Sequence, residues 1–232
     1  MGNNSISKPR VYAIIVAAGE SLRMNGVDKI LIPLGGKPVL AWSIEAFEKS
    51  SQVDRIILVN SQKNLEPVQC LAVDRKYTKV AEVCVGGLRR QDSVAAGLKL
   101  AGPCEWVIIH DGARPFLTVD LIERGLEAAR ETGAAAAAVP VTDTIKLAGR
   151  DQIVLETPPR DHLWAVQTPQ IFRSDIIREA YQKIWSEVTD DASLVEQAGY
   201  RVKLYPGSYD NIKITNPRDL STAELLAKEY GR

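Results

Sequence analysis

Residues that could bind a phosphate group cluster in the segment AAGESLRMNGVDK, which follows the apolar run VYAIIV. Ala17, Ala18 and Gly19 are small enough to let backbone N–H groups approach a phosphate closely. Arg23 and Lys29 add side-chain cations where the backbone already favours anions. The spacing matches neither G-x-x-x-x-G-K-[ST] nor G-x-G-x-x-G, so it predicts neither a P-loop nor a dehydrogenase. Taken alone, the segment could equally be a solvated turn with surface cations.

A second segment of interest, GGLRRQDS, follows the apolar run VAEVCV. Its glycines, Gly86 and Gly87, permit a positive backbone φ and the close approach of a flat ring. Ser93 could hydrogen-bond such a ring, or it could cap a helix that begins near Asp92. From this segment alone, capping is the favoured interpretation.

A third segment, HDGARP, places an acid and a cation at the end of the run WVIIH. Asp111 could hold a divalent metal through its water or position a ligand hydroxyl, and the alternative is an internal ion pair with Arg114. His110 is interpreted as structural. Late in the chain, Lys213 lies in the alternating segment DNIKIT, where a lone lysine usually faces solvent.

The elements that must position these segments alternate between β-type and amphipathic runs. Strands are predicted at Val11–Val16, Arg55–Val59, Val80–Val85, Trp106–His110 and Ala135–Val141, with a later strand pair at RVKLY and NIKIT. Helices are predicted at Leu40–Lys49, Leu65–Arg75, Asp92–Leu100, Val119–Thr132, Ser174–Glu187 and Asp190–Gly199, and a final helix begins at Pro217. This alternation predicts an α/β fold, a Rossmann-like, doubly wound and mostly parallel sheet. Ligands of such sheets bind beyond the carboxyl ends of the strands, where all three segments lie.

The alternation ends at DTIKLAGRDQIVLET, where two short β-like pieces flank a Gly-Arg-Asp turn and predict a hairpin. A two-stranded ribbon buries little by itself and should protrude from the domain. Because it keeps apolar residues, we expect it to pack on a second copy of the chain. We therefore predict one domain over residues 1–232 with a protruding dimerisation arm at about 142–166.

Composition excludes several classes of protein. Lys+Arg and Asp+Glu both number 29 in the 232 residues, so no global basic field predicts binding to nucleic acid. The cysteines, Cys70, Cys84 and Cys104, are odd in number and form no C-x-x-C pair, which favours reduced thiols in the cytoplasm over disulfides or zinc. No apolar run approaches the ~20 residues of a membrane helix, so no membrane partner is expected.

Taken in order, the motifs of this chain resemble the 2-C-methyl-D-erythritol 4-phosphate cytidylyltransferase family. The matching segments are AAGESLRM, DK, GGLRRQDSV, HDGARPF, PVTDTIK, LWAVQTPQIF, TDDASLVE and DNIKITNPRDL. Each is weak singly, but the ordered set is specific and covers nearly the whole chain. The resemblance implies that CTP and 2-C-methyl-D-erythritol 4-phosphate give 4-diphosphocytidyl-2-C-methyl-D-erythritol and pyrophosphate, with Mg²⁺ or another divalent ion, in non-mevalonate isoprenoid biosynthesis.

The resemblance also implies a role for each matching residue on the nucleotide side. The triphosphate cations are Arg23 and Lys29. The nucleotide loop comprises Ala17, Ala18 and Gly19. The segment that reads cytosine contains Gly87, Leu88 and Ser93. The residues near the ribose, the metal and the second substrate are Asp111, Ala113 and Arg114, with Asp111 facing the metal directly or only through water.

On the side of the second substrate, the implied contacts to the phosphoalcohol are Thr168 and Lys213. Thr144 and Arg160 match residues that reach the neighbouring subunit's site from a swapped hairpin arm, which implies a homodimer. The implied catalytic set is Arg23, Lys29, Arg160 and Lys213. The chain departs from the family's pattern at Ser21, where Gly is frequent, at Asp28, where Pro is frequent, and at Leu88, where Asp is common.

The candidate set holds cations, small loops and one acid, but no obvious nucleophile–base pair. That suits a phosphate monoester, which is already ionised and needs no base to remove a proton. We therefore expect a direct in-line attack on the α-phosphorus of CTP, accelerated by positioning and charge neutralisation.

Three other functions fit the sequence less well. A ribitol 5-phosphate cytidylyltransferase has similar loops but tends toward a bulkier residue at the position of Ala113. A sugar-phosphate nucleotidyltransferase is disfavoured by the short chain. A catalytically silent nucleotide-binding protein would have lost cations, whereas Arg23, Lys29 and Lys213 are all present.

Overall fold

A computed structural model of the chain describes residues 10–19, 28–184 and 186–230. In chain order its strands and helices are β1 (Val11–Ala17), β2 (Pro33–Leu34), β3 (Lys37–Pro38), α1 (Val39–Lys49), β4 (Arg55–Asn60), α2 (Leu65–Asp74), β5 (Val80–Val85), α3 (Arg90–Leu100), β6 (Trp106–Asp111), α4 (Val119–Thr132), β7 (Ala134–Pro140), β8 (Leu147–Ala148), β9 (Val154–Glu156), β10 (Trp164–Arg173), α5 (Ser174–Lys183), α6 (Asp191–Gln197), β11 (Lys203–Pro206) and α7 (Pro217–Tyr230).

Within the described ranges, seven strands form one sheet in the order β11-β7-β10-β6-β1-β4-β5. β1 pairs in parallel with both β4 and β6, and β5 extends the parallel set at one edge. β10 runs antiparallel to both of its neighbours, β6 and β7. The predicted α/β fold with a mostly parallel sheet is therefore confirmed, with one antiparallel strand that the sequence patterns did not indicate.

The core lies on both faces of this sheet, as expected for near-continuous apolar strands. On one face α1 and α4 pack through side chains such as Phe47 and Leu121. On the other face α3, α5 and α6 pack through side chains such as Val94 and Ile177. A smaller apolar cluster joins α7 to the segment around Ile214. No helix in the described part of the chain combines the length and apolar character needed to cross a membrane.

The alanine-rich strand β7 shows how tertiary context overrides local preference, because alanine runs favour helices. The helix before this strand, α4, is capped at its N-terminus by Thr118, whose hydroxyl accepts a hydrogen bond from the N–H of Leu121 at 3.2 Å. It ends at Gly133, which adopts a left-handed φ of 83°. The chain then enters the sheet between β10 and β11, where the small side chains are fully buried.

Several predicted boundaries are wrong. The segment NIKIT (211–215) is no strand, and β11 pairs in parallel with β7 instead of with this segment. α3 begins at Arg90, two residues before the predicted Asp92, and α5 ends at Lys183 instead of Glu187. In α3, the carboxylate of Asp92 accepts the N–H of Arg89 at 3.1 Å, which explains the earlier start.

The predicted hairpin at residues 142–166 is present as the antiparallel pair β8–β9. The N–H of Gly149 donates to the carbonyl of Ile153 at 2.9 Å and closes the turn. Large apolar side chains on and beside this hairpin are exposed, among them Ile153 at 64% and Leu155 at 68%. The ribbon therefore presents its apolar residues to the surroundings, as expected of an arm.

Candidate active site

A pocket opens at the carboxyl edge of the parallel strands, where β1, β5 and β6 end. It brings together ten of the residues chosen from the sequence: Ala17, Ala18, Gly19, Lys29, Gly87, Leu88, Ser93, Asp111, Ala113 and Lys213. Its lining also includes Val16, Ile30, Arg89 and Arg90. Segments that are separated by up to about 200 positions in the sequence thus converge on one cavity, because parallel strands end at the same edge.

Two glycines follow β5 beside the pocket, and the second of them, Gly87, lines it. A Cβ on Gly86 would lie 2.5 Å from Ser93 Oγ and 2.7 Å from the Cβ of Ala18, which no side chain tolerates. Neither Gly86 nor Gly87 has φ in the left-handed region, so of the two reasons offered for glycine only close approach applies here. Ser93 Oγ accepts the N–H of Gly87 at 3.2 Å and thereby fixes this turn instead of capping α3.

Leu88 is fully exposed at the rim of this pocket, so it offers an apolar surface and no carboxylate. The following Arg89 does not enter the cavity as a free cation. Its guanidinium pairs with Asp92 at 2.7 Å within the same turn. A ligand at this wall would therefore meet backbone groups and the apolar side chain of Leu88.

Asp111 forms the centre of the charged wall. Its carboxylate is almost buried, and it lies 2.8 Å from Lys213 Nζ and 3.1 Å from Arg90 Nε. Arg114 Nε stands farther away at 3.7 Å, a distance that makes it an ion-pair partner without a hydrogen bond. The predicted Asp111–Arg114 pair is thus present, but it belongs to a larger cluster with three cations.

Burial alone would raise the pKa of Asp111, but the cations of Arg90, Lys213 and Arg114 outweigh it and hold the pKa well below its usual range. Burial lowers the pKa of Arg114. Asp111 is therefore a fixed negative charge at neutral pH and a poor proton acceptor.

Arg90 and Asp191 are site residues to which the sequence reasoning gave no role. Arg90 NH1 contacts the buried carboxylate of Asp191 at 2.6 Å, and Tyr181 donates its hydroxyl to the same carboxylate at 2.7 Å. Arg90 thus bridges two acids, Asp111 and Asp191. The signal was the paired Arg-Arg of GGLRRQDSV and the paired acid of TDDASLVE, which both lay inside the quoted motifs.

Thr168 lies beside Asp111 but is buried and does not line the pocket. Its hydroxyl accepts the backbone N–H of Asp111 at 3.0 Å and lies 3.1 Å from His110 Nδ1. His110 Nε2 lies 3.1 Å from the carbonyl oxygen of Arg114. Burial lowers the pKa of His110 to about 4, so the ring is neutral and holds both neighbours in place.

Lys213 reaches Asp111 although its segment is not a strand. The alternation of DNIKIT still operates, because Ile212 and Ile214 pack in the cluster with α7 while the lysine points the other way. The N–H of Ile214 donates to the carbonyl of Ala113 at 2.9 Å and fastens the segment to the loop after β6. Lys213 therefore lines the pocket and pairs with Asp111, although 37% of its side chain stays exposed to solvent.

Three further candidates are placed apart from the pocket or lie outside the described residues. Thr144 and Arg160 are exposed on the arm, and neither lines the cavity of the described chain. Arg160 NH1 donates to the carbonyl of Thr142 at 2.7 Å. Arg23, like the departure at Ser21, lies outside the described residues.

The residues around Asp111 offer little for direct metal binding. One carboxylate oxygen is engaged by Arg90 and the other by Lys213, and these positive charges disfavour a further cation beside them. The described ranges contain no group of three or more His, Cys, Asp or Glu side chains that could hold a metal ion. With these cationic neighbours in place, Asp111 would contact a metal ion only through water.

Comparison with known proteins adds a consistent set of matches. The family model for 2-C-methyl-D-erythritol 4-phosphate cytidylyltransferase matches residues 11–229. A curated relative of that name from Dehalococcoides mccartyi (strain CBDB1) is 50% identical over 220 residues, which cover 95% of this chain and 97% of the relative.

Solved structures also match in shape. The 4-diphosphocytidyl-2C-methyl-D-erythritol synthase from Anaerococcus prevotii DSM 20548 has a TM-score of 0.85 at 32% identity, covering 95% of this chain and 99% of that structure. The 2-C-methyl-D-erythritol 4-phosphate cytidylyltransferase from Thermus thermophilus has a TM-score of 0.76 at 34% identity, with 94% and 99% covered.

Proposed function

Because this chain belongs to the 2-C-methyl-D-erythritol 4-phosphate cytidylyltransferase family, we propose that its pocket transfers the cytidylyl group of CTP to that phosphoalcohol. The family makes the chain a nucleotidyltransferase of non-mevalonate isoprenoid biosynthesis, and the match gives no support to the ribitol 5-phosphate alternative. The observation that carries the proposal is the convergence of Lys29, Lys213 and Asp111 on one cavity that Gly87 also lines.

The proposed reaction is a single in-line displacement. An oxygen of the phosphoalcohol's phosphate forms a bond to the α-phosphorus of CTP, and the bond from that phosphorus to the bridging oxygen of the β-phosphate breaks. Pyrophosphate leaves with the electron pair, and no proton must be removed from the nucleophile. The depressed pKa values of Asp111 and of buried His110 agree with a site that contains no general base on this wall.

The cations then supply most of the stabilisation. Lys29 neutralises charge that grows on the triphosphate, and the motif assigns the same role to Arg23. Lys213, held by Asp111, faces the incoming phosphate, and Arg160 grips that phosphate at two points. Mg²⁺ bound to the triphosphate would neutralise further charge and favour the departure of pyrophosphate.

A homodimer completes the proposed site. Arg160 and Thr144 are placed on an exposed arm, so they would serve the pocket of a second copy of the chain. The apolar side chains of the arm, including Leu155, support such an association. We expect the dimer to work in the cytoplasm, where its free cysteines stay reduced.

Pyrophosphate release tests the reaction. The chain is incubated with Mg²⁺, CTP and 2-C-methyl-D-erythritol 4-phosphate, with UTP and ribitol 5-phosphate as matched controls. We expect release only when CTP and the methylerythritol ester are both present. Equal or faster release with ribitol 5-phosphate would overturn the substrate assignment.

Mixed dimers test the arm. Lys29→Ala and Arg160→Ala chains are each expected to be slow alone, because every site then lacks one of the two cations. If the arm serves the partner's pocket, a mixed dimer contains one intact site, and mixing restores part of the activity. Mixing without any restoration would place Arg160 in its own chain's site or outside the reaction.

A further inference from the structure

The residues on the two sides of Lys29 are held in place by different interactions. On the following side, the Ile30 side chain is buried in the core, and its carbonyl accepts the N–H of Leu40 at 2.9 Å. On the preceding side stands Asp28, a charged residue next to a cation proposed to bind the triphosphate. An acid placed there would weaken the field of Lys29 unless its own charge were engaged elsewhere.

Asp28 is engaged elsewhere, through both of its carboxylate oxygens. One oxygen accepts the N–H of Ile30 at 3.4 Å, and the carbonyl of Asp28 accepts the N–H of Leu31 at 3.1 Å, which makes a tight turn. The other oxygen accepts the side-chain amide of Asn64 and lies 3.2 Å from Lys63 Nζ. The charge of Asp28 is thus balanced by Lys63.

Asn64 supports this assignment independently. It stands at the N-cap of α2, where an asparagine side chain normally accepts a backbone N–H of the first helical turn. Here it makes no cap hydrogen bond. Its buried side chain instead reaches Asp28, 36 positions away in the sequence.

We propose that Asp28 is a positioning residue for Lys29, held by Asn64 and Lys63 at the start of α2. The inference rests on the proposed role of Lys29 in the transfer reaction. The contact fixes the turn from which the lysine enters the pocket. The turn after β4 thereby becomes part of the nucleotide site although it does not line it.

The test exchanges the carboxylate of Asp28 and the amide of Asn64. Asn64→Asp sets two carboxylates against each other, and Asp28→Ala removes the anchor. Each should lower kcat roughly 10- to 100-fold, because a small misplacement of a charged group has that effect. The double variant Asp28→Asn/Asn64→Asp restores an amide–carboxylate contact in reverse and should recover to within about threefold of wild type, as coupled neighbours do.

Two readouts separate positioning from a loss of folding. KM for CTP should change less than about threefold, because an interaction made mainly in the transition state acts on kcat. The thermal unfolding midpoint of the double variant should match that of Asp120→Asn, a control that removes an exposed carboxylate paired with Arg124 on α4, and kcat of each single variant is measured well below its own midpoint so that the chain is folded. A merely structural role would lower the midpoints of the single variants while their kcat per folded chain stayed at the wild-type value.

The failures are distinguishable. A wild-type chain that releases no pyrophosphate from the two substrates overturns the proposed function and this inference with it. A Lys29→Ala chain with normal turnover overturns the role of Lys29 and hence the reason to position it. A slow Lys29→Ala chain beside a normal Asn64→Asp chain overturns the positioning role of Asp28 and leaves the proposed function standing.

Discussion

The nucleotide pocket and the hairpin arm hold their charged residues in different ways. In the pocket, Asp111 is almost buried and is engaged by Arg90 and Lys213 from separate elements. On the arm, Arg160 is exposed, and its guanidinium donates to the carbonyl of Thr142 in the same segment. The charges of the pocket are held by several elements of one chain. The guanidinium of Arg160 on the arm has a partner only in its own segment among the hydrogen bonds described. Under the proposed function, the two substrates would meet parts of the protein that differ in preorganisation.

The largest effect on turnover is expected from a substitution in the pocket. Lys29→Ala should lower turnover by more than about 100-fold, since loss of one such donor commonly costs ~3 kcal/mol of transition-state stabilisation. Initial rates of pyrophosphate release at saturating substrates measure it. Lys203→Ala, which breaks an exposed pair with Glu131 on the far edge of the sheet, should keep wild-type turnover. Equal rates for the two variants would show that the pocket does not carry the chemistry.

The arm should respond differently. Arg160→Ala is expected to raise KM for the phosphoalcohol by about 10- to 100-fold, because a hydrogen bond to a charged group contributes ~1.5–3 kcal/mol. KM for CTP should stay near its wild-type value. Arg150→Ala, at the exposed turn of the same hairpin, serves as the matched control. A variant at Arg160 that changed only the CTP constant would show that the arm assignment is wrong.

The sequence predicted those parts of the site that depend on local pattern. Each apolar run marks a strand, and the residue types that follow it lie at the carboxyl edge, which is why Lys29, Ser93 and Asp111 could be brought together in advance. The contact of Arg90 with Asp191 could not be predicted in this way. It joins residues 101 positions apart, and nothing in either motif states which cation meets which acid.

Strand β10 was missed for a related reason. Its middle contains Gln167 and Thr168, which break an apolar pattern, and pairing with β7 is interrupted between Val166 and Gln170. These polar groups are buried because other buried groups satisfy them, such as Asn211, whose amide donates to the carbonyl of Thr168 at 2.8 Å. Periodicity detects burial by apolar residues and does not detect burial by hydrogen bonding.

A further test of the pocket is the pH dependence of the free energy of unfolding, to which the buried His110 contributes. Burial keeps His110 neutral in the folded chain down to a pKa of about 4, while Asp111, Arg114 and Arg90 also act on the ring. An unfolded histidine takes up its proton near pH 6.5, so the unfolded state binds more protons between these values. Lowering the pH from about 7 to about 5 should therefore remove about 2 kcal/mol of stability through this residue.

Urea unfolding of wild type and His110→Gln at the two pH values measures this contribution. The variant lacks the titrating ring, so its loss of stability on acidification should be smaller by about 2 kcal/mol, whatever its stability at neutral pH. His162→Gln, on the exposed arm segment, should behave as wild type. An identical loss in all three chains would mean that the buried ring does not govern the acid response of the pocket.

The smallest effect on the chain itself is expected at the arm's apolar surface. Leu155 is 68% exposed, so Leu155→Ser removes little buried area from one chain, and its unfolding free energy should change by no more than about 0.5 kcal/mol at concentrations where chains are separate. The same change should weaken association of two chains, which analytical ultracentrifugation over a dilution series measures. Activity per chain should then fall on dilution at higher concentrations than for wild type, because the arm's Arg160 leaves the partner's pocket. If Leu155→Ser lowered the stability of the isolated chain instead and left association unchanged, the hairpin would be part of its own domain's packing, and the contrast between a self-sufficient pocket and a dependent arm would be lost.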